Sequence, residues 1–382
     1  MIAGIETYKN RPTRAEISYS NLHNNLSVVR SLVSQNVKIM AMVKANAYGH
    51  GLYEISNEFI KQGVEYLGVA FLEEGVYLRK CGITAPILVL GAINTDQIAD
   101  FINHDIEITS SSLDKSTAIA AVAKNLGKEA KVHLKIDTGM ERIGVHWYHA
   151  QDFIERSFEL NSISIKGICS HFAKAETDLD FTARQLERFE SVLTFMDKKN
   201  IVPKLVHIAN SAGIMNFKNS HYTMVRPGIA LYGYNPNGYL PDKVFNGKKL
   251  KPVMTLKTKV AYFKVVRAQS GISYNHSYTA NKQTRIVTLP IGYGDGYFRQ
   301  LSNKGEVVIR GKKYPIVGTI CMDQCMVDIG MDGTAYNGDD VLLFGEMDSM
   351  VIPLESLCAK IGTISYEFLC GITSRVPRIY LD

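Results

Sequence analysis

Through its first two-thirds the chain alternates two textures. Short runs of Ile, Val, Leu and small residues read as buried parallel strands, and longer stretches with helical periodicity separate them. The strands are predicted at Lys38–Val43, Tyr66–Phe71, Ile87–Leu90, Ile106–Thr109, Val132–Asp137, Lys166–His171, Leu205–Ala209 and Thr223–Arg226. Helices are predicted at Leu22–Val33, Tyr53–Gln62, Thr95–His104, Leu113–Leu126, Gln151–Leu160 and Ala183–Lys198. This alternation suits a parallel α/β barrel, which typically takes ~250 residues. An open doubly wound sheet is the other arrangement. It would want a Gly-rich turn after the first strand, and the Val43–Gly51 stretch, VKANAYGHG, is not GxGxxG.

After Leu240 the texture changes. Strand-like pieces at Val253–Lys264, Arg285–Leu289, Glu306–Arg310, Tyr314–Val317 and Asp340–Phe344 are joined by Gly- and Asp-containing turns. Helix is sparse apart from Pro353–Ile361. The predicted fold class is therefore α/β: an N-terminal (β/α)8 barrel of the TIM type over residues 1–245, followed by a mainly-β C-terminal domain over 246–382. Met1–Asn10 is open to packing with the β domain, and the Pro-, Gly- and Lys-rich Asn235–Lys251 is the expected connector. No internal repeat or low-complexity tract is visible.

Composition narrows the class. A hydrophobic share of 46% and a charged share of 21% over 382 residues exclude disordered and fibrous classes. The net charge of +6 is interspersed, with no basic stripe for nucleic acid. Cys81, Cys169, Cys321, Cys325, Cys358 and Cys370 lack zinc-site spacing, so no metal is expected. Scattered cysteines in a long chain fit a reduced, cytoplasmic setting. Met1–Lys9 has no signal-peptide character, and no apolar segment is long enough for a bilayer, so no membrane partner is expected.

Chemistry-bearing residues gather where the predicted barrel strands end. Lys44 follows the first; Lys135 and Asp137 end the fifth; His171 ends the sixth; Asn210 and Ser211 follow the seventh; Arg226 ends the eighth, with Gly228 just after. Barrel enzymes build their sites at this C-terminal face, often with a phosphate site after strands seven and eight. A lysine in an apolar mouth has its ammonium disfavoured, so its neutral amine can attack an aldehyde. From position alone, a rim lysine pointing into water is the commoner reading of Lys44, since lysine is seldom fully buried.

MVKANAYGHG, KIDTGMERIG, SHFAKAE, HIANSAG, MVRPGIALYG, GISY, PIGYGDG, GTICMDQCMVDIG and ISYEFLCGITSRVPRIY follow one another in that order after the opening RPTRAEISYSNLHNNL. In this order they resemble the blocks of the alanine racemase family. The blocks run from Arg11 to Tyr380. The resemblance implies a pyridoxal 5'-phosphate enzyme that interconverts L- and D-alanine and supplies D-alanine for cell-wall peptidoglycan. It also implies a homodimer whose active sites combine one subunit's barrel with the other's β domain.

The resemblance carries roles residue by residue. Lys44 aligns with the lysine that holds the cofactor covalently and serves as one base. Tyr274 aligns with the opposite base, supplied by the partner subunit. Racemisation takes a proton from one face and returns one to the other, so two acid/base groups are needed. Tyrosine's ordinary pKa of ~10 makes it a poor base unless a cation favours the phenolate. Arg142 aligns with the arginine that touches this tyrosine and the substrate carboxylate. Arg226 aligns with the residue facing the cofactor's ring nitrogen, and a protonated arginine there leaves that nitrogen neutral. His171 is expected to donate to or orient Arg226. Tyr48, Ser211, Gly228 and Ile229 align with phosphate contacts, and Asn210 supports them. Met322 and Asp323 align with a substrate-contacting pair and Tyr293 with an entrance tyrosine. Lys135 aligns with a lysine carried as a carbamate.

Three departures stand out: Asn275 after Tyr274, Glu141 before Arg142, and Ser374 where the family often has tyrosine before RVPR. Ser374 opens the alternative of a broader-specificity or serine racemase. A non-catalytic cofactor-binding protein is a further alternative, but such proteins generally lack the β domain. Decarboxylases of similar architecture would want a carboxylate where Arg226 stands. Metal-assisted aldolases would want a late His/Asp pair, and no histidine follows His276.

Overall fold

The computed structural model describes residues 10–236, 238 and 245–382. They form two compact units: His23–Ala47 with Gly51–Leu250, and Met1–Leu22 (described from Asn10) with Tyr48–His50 and Lys251–Asp382. Part of the predicted connector, residues 237 and 239–244, lies outside the described residues.

The first unit is a nearly closed parallel barrel. Its strands run in the order Met224–Val225, Lys38–Met42, Tyr66–Val69, Ile87–Val89, Glu107–Ser110, Ala130–Asp137, Ile163–Cys169 and Leu205–His207. The ends of this path meet where Thr223 N–H donates to Val206 O at 3.3 Å and Arg226 N–H to Ala209 O at 2.9 Å. Most strand residues are buried, as expected for parallel strands covered by helices. Amphipathic helices such as Leu52–Lys61, Ala150–Glu159 and Leu179–Lys198 supply that cover. The helix Leu72–Lys80 was not predicted. Its sequence is weakly periodic and contains Gly75, whose missing side chain lets Ile106 approach: a Cβ there would lie 2.9 Å from Ile106 Cδ1.

The second unit is a largely antiparallel sheet of ten strands. The predicted single strand Val253–Lys264 is two strands, Met254–Lys259 and Tyr262–Val266. They separate because they pair differently. Met254–Lys259 lies between Arg14–Ser18 and Asp340–Met347, whereas Tyr262–Val266 pairs with Thr284–Leu289. Arg14–Ser18 also pairs in parallel with Arg378–Leu381, joining the two ends of the described chain in one sheet. Among the described residues no helix is long and apolar enough to cross a membrane.

Candidate active site

Lys44 is half-buried and directly follows the first barrel strand. The next residues form a left-handed turn, with φ of 53° at Ala45, 55° at Asn46, 52° at Ala47 and 52° at Tyr48. Each such L-residue costs roughly 1–2 kcal/mol, so the turn must be held from outside. Glu74 does this with both oxygens: Oε1 accepts from Ala45 N–H at 2.6 Å and Oε2 from Ala70 N–H at 2.8 Å. Asn46 Oδ1 accepts from Leu52 N–H at 2.8 Å. Backbone strain maintained in this way is found at functional sites.

Arg226 is buried at the end of the last barrel strand. Its Nη1 donates to His207 Nδ1 at 2.6 Å and His207 O at 2.8 Å. Its Nη2 donates to Ser170 O at 2.6 Å, His171 Nδ1 at 3.0 Å and Ile208 O at 3.1 Å. The terminal N–H groups are thus committed, and among the described residues Nε–H has no acceptor. Burial lowers the guanidinium's pKa to about 10, which leaves it charged at neutral pH. The expectation that His171 donates to Arg226 is corrected: the guanidinium can only donate, so His171 accepts. Burial, then the cations Arg226, Lys135, Arg142 and Lys44, push His171 well below its ordinary pKa. Those four residues and His171 therefore share one electrostatic neighbourhood.

Lys135 is buried in the fifth barrel strand. Burial is the main cause of a pKa pushed down to about 8, with Cys169 and Asp137 opposing and Arg226 and Arg142 adding to the fall. Gly144 presses the following loop against it: a Cβ there would lie 2.9 Å from Lys135 Cγ, and φ is +117°. Asp137 shapes that loop by accepting backbone N–H from Gly139 at 2.7 Å, Met140 at 2.9 Å and Arg142 at 3.2 Å. Burial raises the Asp137 pKa, but these bonds outweigh it and hold the carboxyl below its ordinary range. Glu141 takes His146 Nε2 at 2.8 Å, and Arg142 is exposed.

After the last two strands, Ser211 Oγ accepts from Gly228 N–H at 2.9 Å and Ala230 N–H at 3.3 Å. Ile229 is buried beside Gly228. Asn210 caps the helix Ser211–Asn216, its side chain accepting from Gly213 N–H at 2.9 Å. In the other unit Tyr48 is buried with its ring centroid 6.1 Å from that of Tyr366, and burial raises its pKa.

Tyr274, Met322, Asp323, Tyr293 and Ser374 lie in the sheet unit. Residues 319–322 are clasped from two sides: Thr319 Oγ1 donates to Tyr274 O at 3.1 Å, and Tyr293 N–H donates to Cys321 O at 3.0 Å. Tyr274 is 68% exposed, Met322 52% and Tyr293 42%, each a large side chain open to solvent in one chain. Asp323 pairs with Arg375 at 2.7 Å. Ser374 is exposed. Sequence reasoning passed over Glu74, Glu107 and His133. The signal available for the last two was a Glu and a His inside otherwise apolar strands.

Ionisable groups converge at the C-terminal ends of parallel strands, the place where barrel enzymes hold their chemistry. Comparison with known proteins gives the family. The alanine racemase N-terminal domain matches residues 17–236, and the alanine racemase C-terminal domain matches residues 253–380. A relative from Caldanaerobacter subterraneus subsp. tengcongensis, alanine racemase 2, is 42% identical over 376 residues, covering 97% of this chain and 95% of that protein. The solved alanine racemase of Clostridium difficile 630 superposes with a TM-score of 0.92 at 39% identity, covering 97% of this chain and 96% of that one. The alanine racemase from Bartonella henselae, solved with covalently bound pyridoxal phosphate, gives a TM-score of 0.86 at 29% identity, covering 97% and 99%. The chain belongs to the alanine racemase family of amino-acid isomerases.

Proposed function

We propose that this enzyme interconverts L- and D-alanine as a homodimer, with pyridoxal 5'-phosphate held covalently by Lys44. The observation that carries the reading is Lys44 just after the first barrel strand, in one electrostatic neighbourhood with Arg142, Lys135, Arg226 and a His171 held well below its ordinary pKa. Such a site suits an anionic cofactor and a carboxylate substrate.

The residues present fit that cofactor. The Nε–H of Arg226 suits a neutral ring nitrogen, and the Ser211 hydroxyl with the backbone at Ile229 suits the phosphate. When bound, the cofactor supplies the electron sink that makes the substrate's α-proton labile. Lys44 Nζ moves that proton on one face, and Oη of Tyr274 of the partner subunit moves it on the other. Arg142 holds the substrate carboxylate, beside Met322 and Asp323 of the partner subunit, with Tyr293 at the entrance. The exposed Tyr274, Met322 and Tyr293 support a partner covering them.

Lys135 is read as a carbamate. Its lowered pKa leaves neutral amine available near pH 8. The amine adds to carbon dioxide, forming an N–C bond and releasing one proton, and the resulting anion offsets the neighbouring cations. The reading extends to D-alanine for cell-wall peptidoglycan, which family membership supports. The relatives above are alanine racemases, and nothing in them favours serine as the main substrate or a non-catalytic role.

The test is chiral chromatography of L-alanine incubated with purified, cofactor-loaded protein. Both isomers should reach a one-to-one ratio, and Lys44→Ala should abolish nearly all conversion and the cofactor's borohydride-reducible attachment. A wild type that leaves alanine unchanged, or a Lys44→Ala protein that keeps the attachment at full yield, refutes the reading.

A further inference from the structure

Beneath the barrel mouth a row of buried polar side chains crosses the barrel strands. Glu107, His133, His207 and Arg226 are 4%, 0%, 0% and 3% exposed. Glu107 Oε2 lies 2.8 Å from His133 Nε2, His133 Nδ1 lies 2.9 Å from His207 Nε2, and His207 Nδ1 lies 2.6 Å from Arg226 Nη1. Groups of this kind are rarely placed in a barrel core, because each unmet polar atom costs about 1–3 kcal/mol there.

The intervening strand makes room for the row. Gly167 stands in register with His133 on one side and Leu205 on the other. A Cβ at Gly167 would lie 2.8 Å from His133 Nδ1 and 2.7 Å from Leu205 O. A larger residue would obstruct the contact between the two imidazoles.

The protons along the row have one consistent arrangement. Arg226 can only donate, so His207 presents a lone pair at Nδ1 and carries its proton on Nε2. That proton must be accepted by His133 Nδ1, which places the His133 proton on Nε2, directed at the Glu107 carboxylate. Every donor points from Arg226 toward Glu107. Burial, then Arg226, then His133 and Lys135, keep His207 well below its ordinary pKa, which agrees with a neutral ring in this row.

We propose that Glu107 is a positioning residue for the racemase reaction: through His133 and His207 it fixes the acceptor into which Arg226 donates, and so holds the guanidinium's Nε–H toward the cofactor. The inference rests on the racemase reading. Glu107 is also the anion that balances a buried cation across two neutral rings. Tyr66 Oη, 3.5 Å from Glu107 Oε1, braces the carboxylate from the far side.

The test uses holoenzyme labelled with 15N-histidine. Long-range proton–nitrogen spectra of the wild type should show His133 and His207 neutral and protonated on Nε2. A positively charged ring, or a proton on Nδ1 of either, overturns the proposal whatever the variants do. Glu107→Leu takes the acceptor from His133 Nε2 and should loosen the Arg226 contact to His207, giving a mixture of tautomers at both rings. Its kcat should fall on the order of tenfold, the scale of one hydrogen bond to a charged group, while KM for alanine changes less than twofold. Glu107→Gln, which keeps a carbonyl acceptor, should restore the tautomer and part of kcat. Unchanged tautomers and kcat in Glu107→Leu would refute the proposal. Wild-type racemisation, assayed first in the same preparation, separates this failure from failure of the racemase reading.

Discussion

The guanidinium of Arg226 donates to Nδ1 of His171 at 3.0 Å, so the histidine is the acceptor of this bond. Its neutral state has a consequence for stability. His171 and His207 both have folded pKa values below the ordinary 6.5, burial being the main cause. Between the folded and unfolded values the unfolded chain binds protons that the folded chain does not. Stability is therefore full above about pH 6.5 and falls as pH drops, by up to ~1.4 kcal/mol per pH unit for each ring. The melting temperature should decline below pH 6. His171→Asn, which keeps an acceptor but does not titrate, should flatten that decline; an unaltered slope would remove His171 from the account.

Glu74 holds the strained turn that follows Lys44. Glu74→Ala frees the Ala45 and Ala70 N–H groups and should destabilise the protein by about 1–3 kcal/mol. It should also weaken cofactor retention on dilution, followed by the visible absorbance remaining after gel filtration. A lower melting temperature with full retention would mean that the turn does not govern how Lys44 is presented.

The proposed sharing of the site between subunits predicts complementation. Lys44→Ala and Tyr274→Phe proteins are each expected to be nearly inactive. After subunit exchange, each heterodimer has one site with both bases, so an equal mixture should approach about a quarter of wild-type activity. No recovery after exchange has been demonstrated by mass spectrometry would place both bases within one chain.

The proposed Lys135 carbamate predicts a carbonyl signal from 13C-bicarbonate that is present in the wild type and missing in Lys135→Ala. Folding disfavours the ammonium, with a pKa of about 8 against the ordinary 10.5. The neutral amine therefore grows as pH rises from 7 to 9, and labelling should rise with it. Labelling that falls across this range would argue for an ordinary ammonium.

The sequence placed the barrel strands to within a few residues. Lys38–Val43 became Lys38–Met42, and Val132–Asp137 became Ala130–Asp137. Local periodicity carries that information, because alternation and apolar runs follow from which faces a strand buries. The helix Leu72–Lys80 escaped because its pattern is weak, and Val253–Lys264 was read as one strand because a change of partner leaves no local trace.

The same division holds for the site. By itself the sequence determined that Lys44 follows the first strand, that Arg226 ends the last, and that a β-rich region comes after. It also carried the motif blocks from which the family could be named. Only the tertiary structure decided that Arg226 gives its protons to His171 and His207, that Glu74 steadies the turn beyond Lys44, and that Arg14–Ser18 pairs with Arg378–Leu381. It alone aligned Glu107, His133 and His207. The reason is register: residues 26 and 74 apart in sequence meet because strand pairing and the small Gly167 bring them level, and neither condition is written in the residues flanking them.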